Sequence, residues 1–271
     1  MSEIVNKDPH AQVAAPRARV PANHHYEALV RLADDRLVLG HRVSEWCGHA
    51  PIVEEDIALS NIALDLVGQA SSLLDLAARA EGRGRDADAL AYFRDETHFR
   101  NALLLEQPNG DFATTMARQF LFDAFSVPLL DQLTQSAHEG LAAVAMKAIK
   151  EDRYHLRHSS EWVIRLGDGT QESHDRMQAA FDELWRFTGE LFDEDEVDTS
   201  AAASHGISID REAIRQQWDA AVGEVLARAT LERPAEPPMR RGGRRGFHTE
   251  HLGHMLAVMQ SVARAHPGAS W

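Results

Sequence analysis

Apolar residues recur at intervals of three and four along most of the chain, and this helical period is what most restricts its fold. Runs that alternate apolar and polar residues, as half-buried strands do, are hard to find. Eight helices are predicted, at residues 24–47, 53–81, 86–105, 112–137, 139–166, 172–191, 210–232 and 249–265. The sequence therefore predicts an all-α protein, and 271 residues are enough to bury a substantial core.

Two segments stand outside this pattern. Residues 1–23 are predicted to be a flexible tail in front of a single helical domain at 24–271. Residues 232–246 (ERPAEPPMRRGGRRG) combine three prolines, three glycines and five arginines, so they are predicted to form an exposed loop. Guanidinium groups favour phosphate or carboxylate partners. Possible partner contacts in and after this loop are Arg240, Arg241, Arg244, Arg245, His248 and Glu250.

Charge and composition exclude several classes of protein. The formal charge of −14 argues against a non-specific nucleic-acid binder, because neutralising phosphates requires surface Lys and Arg. The first twenty residues lack the apolar centre of a signal peptide, and no apolar run approaches a transmembrane span, so no membrane partner is expected. Cys47, the single cysteine, is predicted to be a small buried side chain, and a chain without disulfides suits the cytoplasm.

The stretch KAIKEDRYHLRHS (147–159) places charged residues on an otherwise apolar helix face. Asp152 and His155 fall within the same stripe as Ala148, with Glu151 beside it. A buried carboxylate needs a counter-charge, hydrogen bonds or a metal. Other predicted helices carry related interruptions at Glu45, Asp65 and Asp123, and in helix 112–137 Pro128 is expected to kink or end the helix.

Two interpretations of these acids remain open. A di-iron site in a four-helix bundle takes a Glu from each of two helices and a Glu-x-x-His from each of the other two. In the alternative, the acids form a solvent face and a satisfied core pair, neutralised by Lys147, His41 or an arginine from a neighbouring helix. The number of ligands favours the alternative, because Gly68 follows Asp65 by three residues and cannot bind a metal.

Five stretches resemble the C-subunit family of the bacterial phenylacetyl-CoA epoxidases. They are LVLGHRVSEWCGHAPIVEEDIALSNIALDLVGQA (37–70), FRDETHFRNALLLEQPNGDFATTMARQF (93–120), KAIKEDRYHLRHS (147–159), LWRFTGELFD (184–193) and GFHTEHLGHMLAVMQ (246–260). EWCGHAP, EQPNGDFA and HTEHLG are too particular in order and spacing for a chance match between helices.

The resemblance implies a ferritin-like helical bundle with additional helices. It also implies a structural, non-catalytic subunit that pairs with the catalytic A subunit and joins the other subunits of the complex. The di-iron centre is then expected in the A subunit, and no cofactor in this chain. On this view the positions of a degenerate metal site are Glu45, Asp65, Gly68, Asp123, Glu151, Asp152 and His155.

Three further possibilities stay open at this point. The chain is alternatively a catalytically active, carboxylate-rich di-iron oxygenase subunit. Residues 232–254 are alternatively a binding module for the catalytic subunit or for CoA phosphates. In the absence of partners, a homodimer is possible. His251 and His254, with His248 and Glu250, are expected to serve capping and interface hydrogen bonds rather than a metal.

Overall fold

Helices form all the regular secondary structure of residues 23–269, the part of the chain that the computed structural model describes. The α-helices are α1 (His24–Ser44), α2 (Val53–Glu81), α3 (Ala87–Tyr92), α4 (Leu103–Glu106), α5 (Phe112–Leu133), α6 (Glu139–Gly167), α7 (Gln171–Leu184), α8 (Glu196–His205), α9 (Arg211–Arg228), α10 (Glu250–Met259) and α11 (Ser261–Ala265). The all-α prediction is confirmed. The predicted tail, 1–23, lies outside the described residues except for Asn23, whose side chain caps α1.

The four long helices α1, α2, α5 and α6 pack side by side and enclose the core. Helices α1 and α2 approach closely at Gly40, where an added Cβ would lie 3.1 Å from the Leu66 and Val67 side chains. Along α2, Leu59, Ile62 and Leu66 are fully buried. Their spacing of three and four residues matches the helical period, so the apolar face read from the sequence is the face that packs.

Most of the predicted helices are confirmed to within a few residues. Helix α2 begins and ends at the predicted residues, 53 and 81, and α6 ends one residue beyond its predicted end. Helix α5 continues through Pro128 to Leu133, so this proline does not end the helix. Asp111 caps α5 by accepting a hydrogen bond from the Thr114 amide.

The predicted helix at 86–105 is wrong, because two short helices and a 3-10 turn (Glu96–His98) replace it. Buried carboxylates take the backbone N–H groups that a continuous helix would have used. The amides of Arg100, Ala102 and Leu103 donate to Asp34, Asp35 and Glu190. These acids come from distant parts of the chain, so the periodicity of residues 86–105 does not indicate that the helix is interrupted.

Helix α8 is absent from the predicted set, although it has a local signal. Asp195 and Asp198 form a capping box at its start, and Gly206, with φ of 68°, ends it. The predicted helices at 172–191 and 249–265 are shorter than expected, because 3-10 turns follow Leu184 and a break at Gln260 separates α10 from α11.

The prediction that 232–246 is an exposed loop is wrong for its second half. Arg244 inserts between helices and donates to both carboxylate oxygens of Asp35, at 2.9 and 2.8 Å. Gly243 lies so close to Asn101 that an added Cβ would be 2.1 Å from the Asn101 carbonyl oxygen. The segment is therefore fastened to the bundle, while its first half, from 232 to 241, is mostly exposed.

Candidate functional site

Three helices bring the predicted acids to the centre of the bundle. Helix α2 contributes Asp65, α5 contributes Asp123, and α6 contributes Glu151, Asp152 and His155. The side chains of Asp123, Asp152 and His155 are buried, whereas the Asp65 side chain is 38% exposed and that of Glu151 is 23% exposed. We call these five residues the carboxylate cluster.

Arg36 on α1 supplies the positive charge of the carboxylate cluster, and it does so through two intermediaries. Its Nε donates to Gln69 Oε1 at 2.9 Å, and Gln69 Nε2 donates to Asp152 Oδ1 at 2.9 Å. A second guanidinium nitrogen donates to Ser126 Oγ at 3.0 Å, and that hydroxyl donates to Asp152 Oδ2 at 2.5 Å. Both oxygens of Asp152 are thus connected to a buried cation, which offsets the cost of burying the carboxylate.

Of the three predicted sources of counter-charge, the arginine is the one that the structure supports. Lys147 is 79% exposed, and its ammonium lies 3.9 Å from Glu151. His41 is half-buried, its Nε2 is buried without a hydrogen-bond partner, and burial lowers its pKa to about 4. His41 is therefore uncharged at neutral pH. Sequence reasoning missed the roles of Arg36 and Gln69, because a polar residue on an amphipathic helix is usually expected to face solvent.

His155 connects the buried part of the cluster to its exposed edge. Its Nε2 lies 3.1 Å from Asp65 Oδ2, so it donates to that carboxylate. Its Nδ1 lies 3.8 Å from Asp152 Oδ1 and has no hydrogen-bond partner. The i, i+3 pair read from the sequence therefore shares a face, as predicted, but the imidazole bonds across to α2 instead.

Asp123 is a buried carboxyl group without a facing cation. It accepts hydrogen bonds from Gln119 Nε2 at 2.7 Å and from Ser159 Oγ at 2.8 Å. Burial raises the pKa of Asp123 well above its ordinary value, and the nearby charge of Asp152 raises it further. The Asp123 carboxyl is therefore more readily protonated than an ordinary aspartate.

Replacing Asp123 with asparagine is expected to stabilise the protein at pH 7, by about 1 kcal/mol. A raised folded pKa means that stability falls as pH rises from the unfolded pKa to the folded one, and asparagine removes that loss. Gln119 Nε2 can still donate to the asparagine oxygen, and Ser159 Oγ can accept from the asparagine amide while it donates to the Leu156 carbonyl. Urea unfolding from pH 4 to pH 8 measures the effect, with the exposed Asp131→Asn as control. Equal destabilisation at every pH would contradict it.

Two predicted positions lie apart from the buried centre. Glu45 is exposed beyond the end of α1, where it pairs with Arg42 at 2.9 Å and accepts from Asn109. Neither of these contacts reaches the carboxylate cluster. Gly68 is exposed on α2, and a Cβ added there would meet no atom within 4 Å.

The residues of the carboxylate cluster do not fit a di-iron centre. The cluster holds one imidazole, and the oxygens of Asp152 are already bonded through Gln69 and Ser126 to a guanidinium. The arrangement is a polar core in which Arg36 supplies the counter-charge of Asp152.

A second buried polar layer joins the carboxyl-terminal segment to the bundle. Arg94 bonds both oxygens of Asp34, and Glu190 accepts from the amides of Gly242, Arg244 and Leu103. Glu106 accepts from Asn101, from His248 and from the amide and hydroxyl of Thr249. Sequence reasoning assigned no role to these acids, because most of their partners lie far away in the chain.

The predicted partner contacts have separate structural roles. The Arg244 side chain is 12% exposed and packs against Asp35, and Arg241 pairs with Asp193 at 2.6 Å. Arg240, Arg245 and Glu250 are exposed, which leaves them available to a partner. The His248 side chain is buried against Glu106 of the same chain, so it is not accessible to a partner and that predicted contact is wrong. Cys47, predicted to be buried, is exposed in the turn after α1, so that prediction is wrong.

Helix α2 is the one described helix that is long and apolar enough to cross a membrane by length and composition. Core helices of globular proteins meet the same criteria, and α2 packs along α1.

Comparisons with known proteins agree with the resemblance seen in the sequence. A family model described as "Phenylacetic acid catabolic protein" matches residues 10–271. The C subunit of 1,2-phenylacetyl-CoA epoxidase from Escherichia coli (strain K12) is 52% identical over 242 residues, which is 89% of this chain and 97% of that relative. The family is ferritin-like, which confirms the predicted fold.

Proposed function

This chain belongs to the family of phenylacetic acid catabolic proteins, and we propose that it is the structural, non-catalytic subunit of a phenylacetyl-CoA epoxidase. In this role it pairs with the catalytic subunit of the complex, supports it, and carries no cofactor of its own. The 52% identity to a C subunit over most of both chains supports the assignment to that subunit type. A cytoplasmic location is part of the same proposal.

The position of Arg36 is the observation that carries the non-catalytic role. A metal site needs carboxylates whose negative charge the metal itself compensates, whereas both oxygens of Asp152 already accept hydrogen bonds from groups that the Arg36 cation holds in place. Asp123 is a poor metal ligand for a related reason, since burial and the charge of Asp152 raise its pKa and so disfavour the deprotonated form that a metal requires. The polar core therefore stabilises the bundle rather than performing chemistry.

The alternative is a catalytically active, carboxylate-rich di-iron subunit, and one observation favours it. Asp65, which bonds His155, is 38% exposed, so an ion from solvent has a route to that pair. Such a site would need water or further side chains to complete its coordination. The two proposals predict different iron contents for the purified chain. They also predict different effects on turnover when Asp65 and His155 are replaced.

Metal analysis of the purified chain tests the proposal directly. We expect well below one iron per chain, and no oxygenase activity from the chain alone. The variants Asp65→Ala and His155→Ala are expected to keep wild-type turnover per assembled complex, because they remove no catalytic group. Inductively coupled plasma mass spectrometry and single-turnover assays of the reconstituted complex measure both. About two irons per chain, as di-iron proteins carry, together with loss of turnover, would establish the alternative.

A further inference from the structure

Helix α8 is held to the bundle mainly by polar contacts at its two ends. Along its ten residues only Val197 and Ala201 are buried. A cavity of about 90 Å³ lies beneath it, between α8, α1 and α5. Leu32, Phe125 and Leu129 line this cavity from the side of the bundle, so a movement of α8 would open an apolar space.

Ion pairs hold the amino-terminal end of α8. Arg31 on α1 donates to both carboxylate oxygens of Asp195, at 2.9 and 2.7 Å, and to Asp198 at 3.2 Å. Burial alone would raise the pKa of Asp195, but the hydrogen bonds and the charge of Arg31 hold it at about 2. This end of the helix is therefore fastened throughout the mildly acidic range of pH.

Three histidines meet at the other end of α8. His205, in its last turn, stacks on His25 of α1 with the ring centroids 4.2 Å apart. The Nε2 atom of His25 lies 3.0 Å from Nε2 of His138, the residue that caps α6. Beside them, the carbonyl oxygen of Gly206 accepts from Ser136 Oγ at 2.6 Å. This end of α8 is thus joined to α1 and α6 at a histidine cluster, which consists of His25, His138 and His205.

The backbone of α6 determines where the proton between His25 and His138 lies. The Leu141 amide donates to His138 Nδ1 at 3.0 Å, so Nδ1 is an acceptor and the hydrogen of this neutral ring is on Nε2. His138 Nε2 therefore donates to His25 Nε2, which must be unprotonated to accept. A proton added to His25 Nε2 would set two N–H groups against each other at 3.0 Å.

The groups that face His25 from α6 and α8 also disfavour its protonated form. Burial lowers the pKa of His25 below its ordinary value of 6.5, and His205 and His138 lower it further. No acid is among the groups that shift this pKa, and Glu139, next to His138, is exposed. Because His25 binds a proton more readily when the histidine cluster is open, a fall in pH below 6.5 favours opening.

We propose that α8 is a pH-sensitive lid, whose carboxyl-terminal end is released when His25 is protonated. His25 then loses its hydrogen bond to His138, while the Arg31 ion pairs keep the other end of the helix in place. The helix swings about that end and exposes the apolar cavity beneath it to solvent. The lid is independent of the proposed structural role, because it involves no residue of the carboxylate cluster.

Hydrogen–deuterium exchange of the full chain at pH 7.5 and pH 5.5 tests the lid. Protection factors, which correct for the intrinsic effect of pH on exchange, are expected to fall about threefold to tenfold in residues 196–205. One group with an ordinary pKa of 6.5 can change the open fraction by at most about tenfold over this range. Protection in α2 is expected to stay the same.

Two matched substitutions assign the change to His25. His25→Gln keeps an oxygen that can accept from His138 but cannot titrate, so it is expected to abolish the pH-dependent loss of protection. His49→Gln is the control, because His49 is exposed in the turn after α1, and it is expected to leave the loss unchanged.

A nuclear magnetic resonance titration of the histidine rings locates the proton directly. His25 is expected to titrate below pH 6.5, and the neutral rings are expected to carry their hydrogen on Nδ1 of His25 and on Nε2 of His138. A His25 that titrates at pH 6.5 or above would overturn the proposal. Protection of α8 that is equal at both pH values, or a loss that survives His25→Gln, would do the same.

Discussion

Replacing Arg36 with methionine is expected to lower the free energy of unfolding by about 3–5 kcal/mol, because removing one partner of a buried charge network leaves the other charge uncompensated. Arg36 is 1% exposed, and methionine fills much of its volume. The substitution therefore tests the loss of charge and hydrogen bonds more than the loss of packing. Gln69 Oε1 loses its donor, and Asp152 loses the cation to which Gln69 and Ser126 connect it.

Chemical denaturation at pH 7 measures the effect, with Arg228→Met as the matched control. Arg228 lies on α9 with a 60% exposed side chain, and its loss is expected to change stability by less than about 0.5 kcal/mol. A loss below about 1 kcal/mol for Arg36→Met, within the range of a single neutral hydrogen bond, would contradict its role as the counter-charge.

A second substitution separates charge from packing. Combining Arg36→Met with Asp152→Asn removes the uncompensated anion, so the double variant is expected to be more stable than Arg36→Met alone. The non-additive part of the double-mutant cycle is expected to reach about 1–3 kcal/mol. Additive losses would show that Arg36 acts independently of Asp152. Iron content, measured in the same variants, shows whether removing the guanidinium opens the cluster to metal.

The polar core shows how far sequence reasoning reaches in this fold. Periodicity alone predicts Asp152 and His155 on the core face, and the structure puts both inside. Periodicity does not identify their partners Arg36 and Gln69. A helix face that carries both Leu32 and Arg36 is equally typical of the boundary between the core and the solvent. The residue type shows whether a buried side chain is an acid or a base. Which residue neutralises it depends on which helix packs opposite, and periodicity within one helix does not show that.

The wrong helix at 86–105 has a similar cause. Its residues have good helical propensity, yet three of its backbone N–H groups donate hydrogen bonds to the carboxylates of Asp34, Asp35 and Glu190. Local propensity is a weak preference that buried hydrogen bonds override. The prediction for the loop at 232–246 fails for the converse reason. Its composition indicates solvent exposure, whereas Arg244 meets a carboxylate that comes 209 residues earlier in the chain.

Glu106→Gln is expected to lower the free energy of unfolding by about 3–5 kcal/mol, and this loss is expected to depend on pH. Glu106 is fully buried and accepts four hydrogen bonds from Asn101, His248 and Thr249. Both ring nitrogens of His248 face acceptors, Glu106 at 2.7 Å and the Phe99 carbonyl at 3.0 Å, so both are protonated. Glutamine leaves this imidazolium buried without its anion.

The pH dependence follows from the direction of the His248 shift. Burial alone would lower the pKa of His248, but the hydrogen bond and the charge of Glu106 raise it above its ordinary value of 6.5. The stabilisation from a raised pKa is fully present below the unfolded pKa and is lost as pH rises through the folded one. The difference between wild type and Glu106→Gln is therefore expected to be largest near pH 6 and to shrink toward pH 9.

Urea unfolding at pH 6, 7, 8 and 9 measures that difference, and Glu250→Gln is the matched control because Glu250 is exposed on α10, two residues from His248. The control is expected to show no loss at any pH. A loss in Glu106→Gln that is the same at all four values would mean that His248 is neutral in the folded protein. The deficit would then reflect hydrogen bonds alone, and the segment that carries Thr249 would be held to the bundle without a buried ion pair.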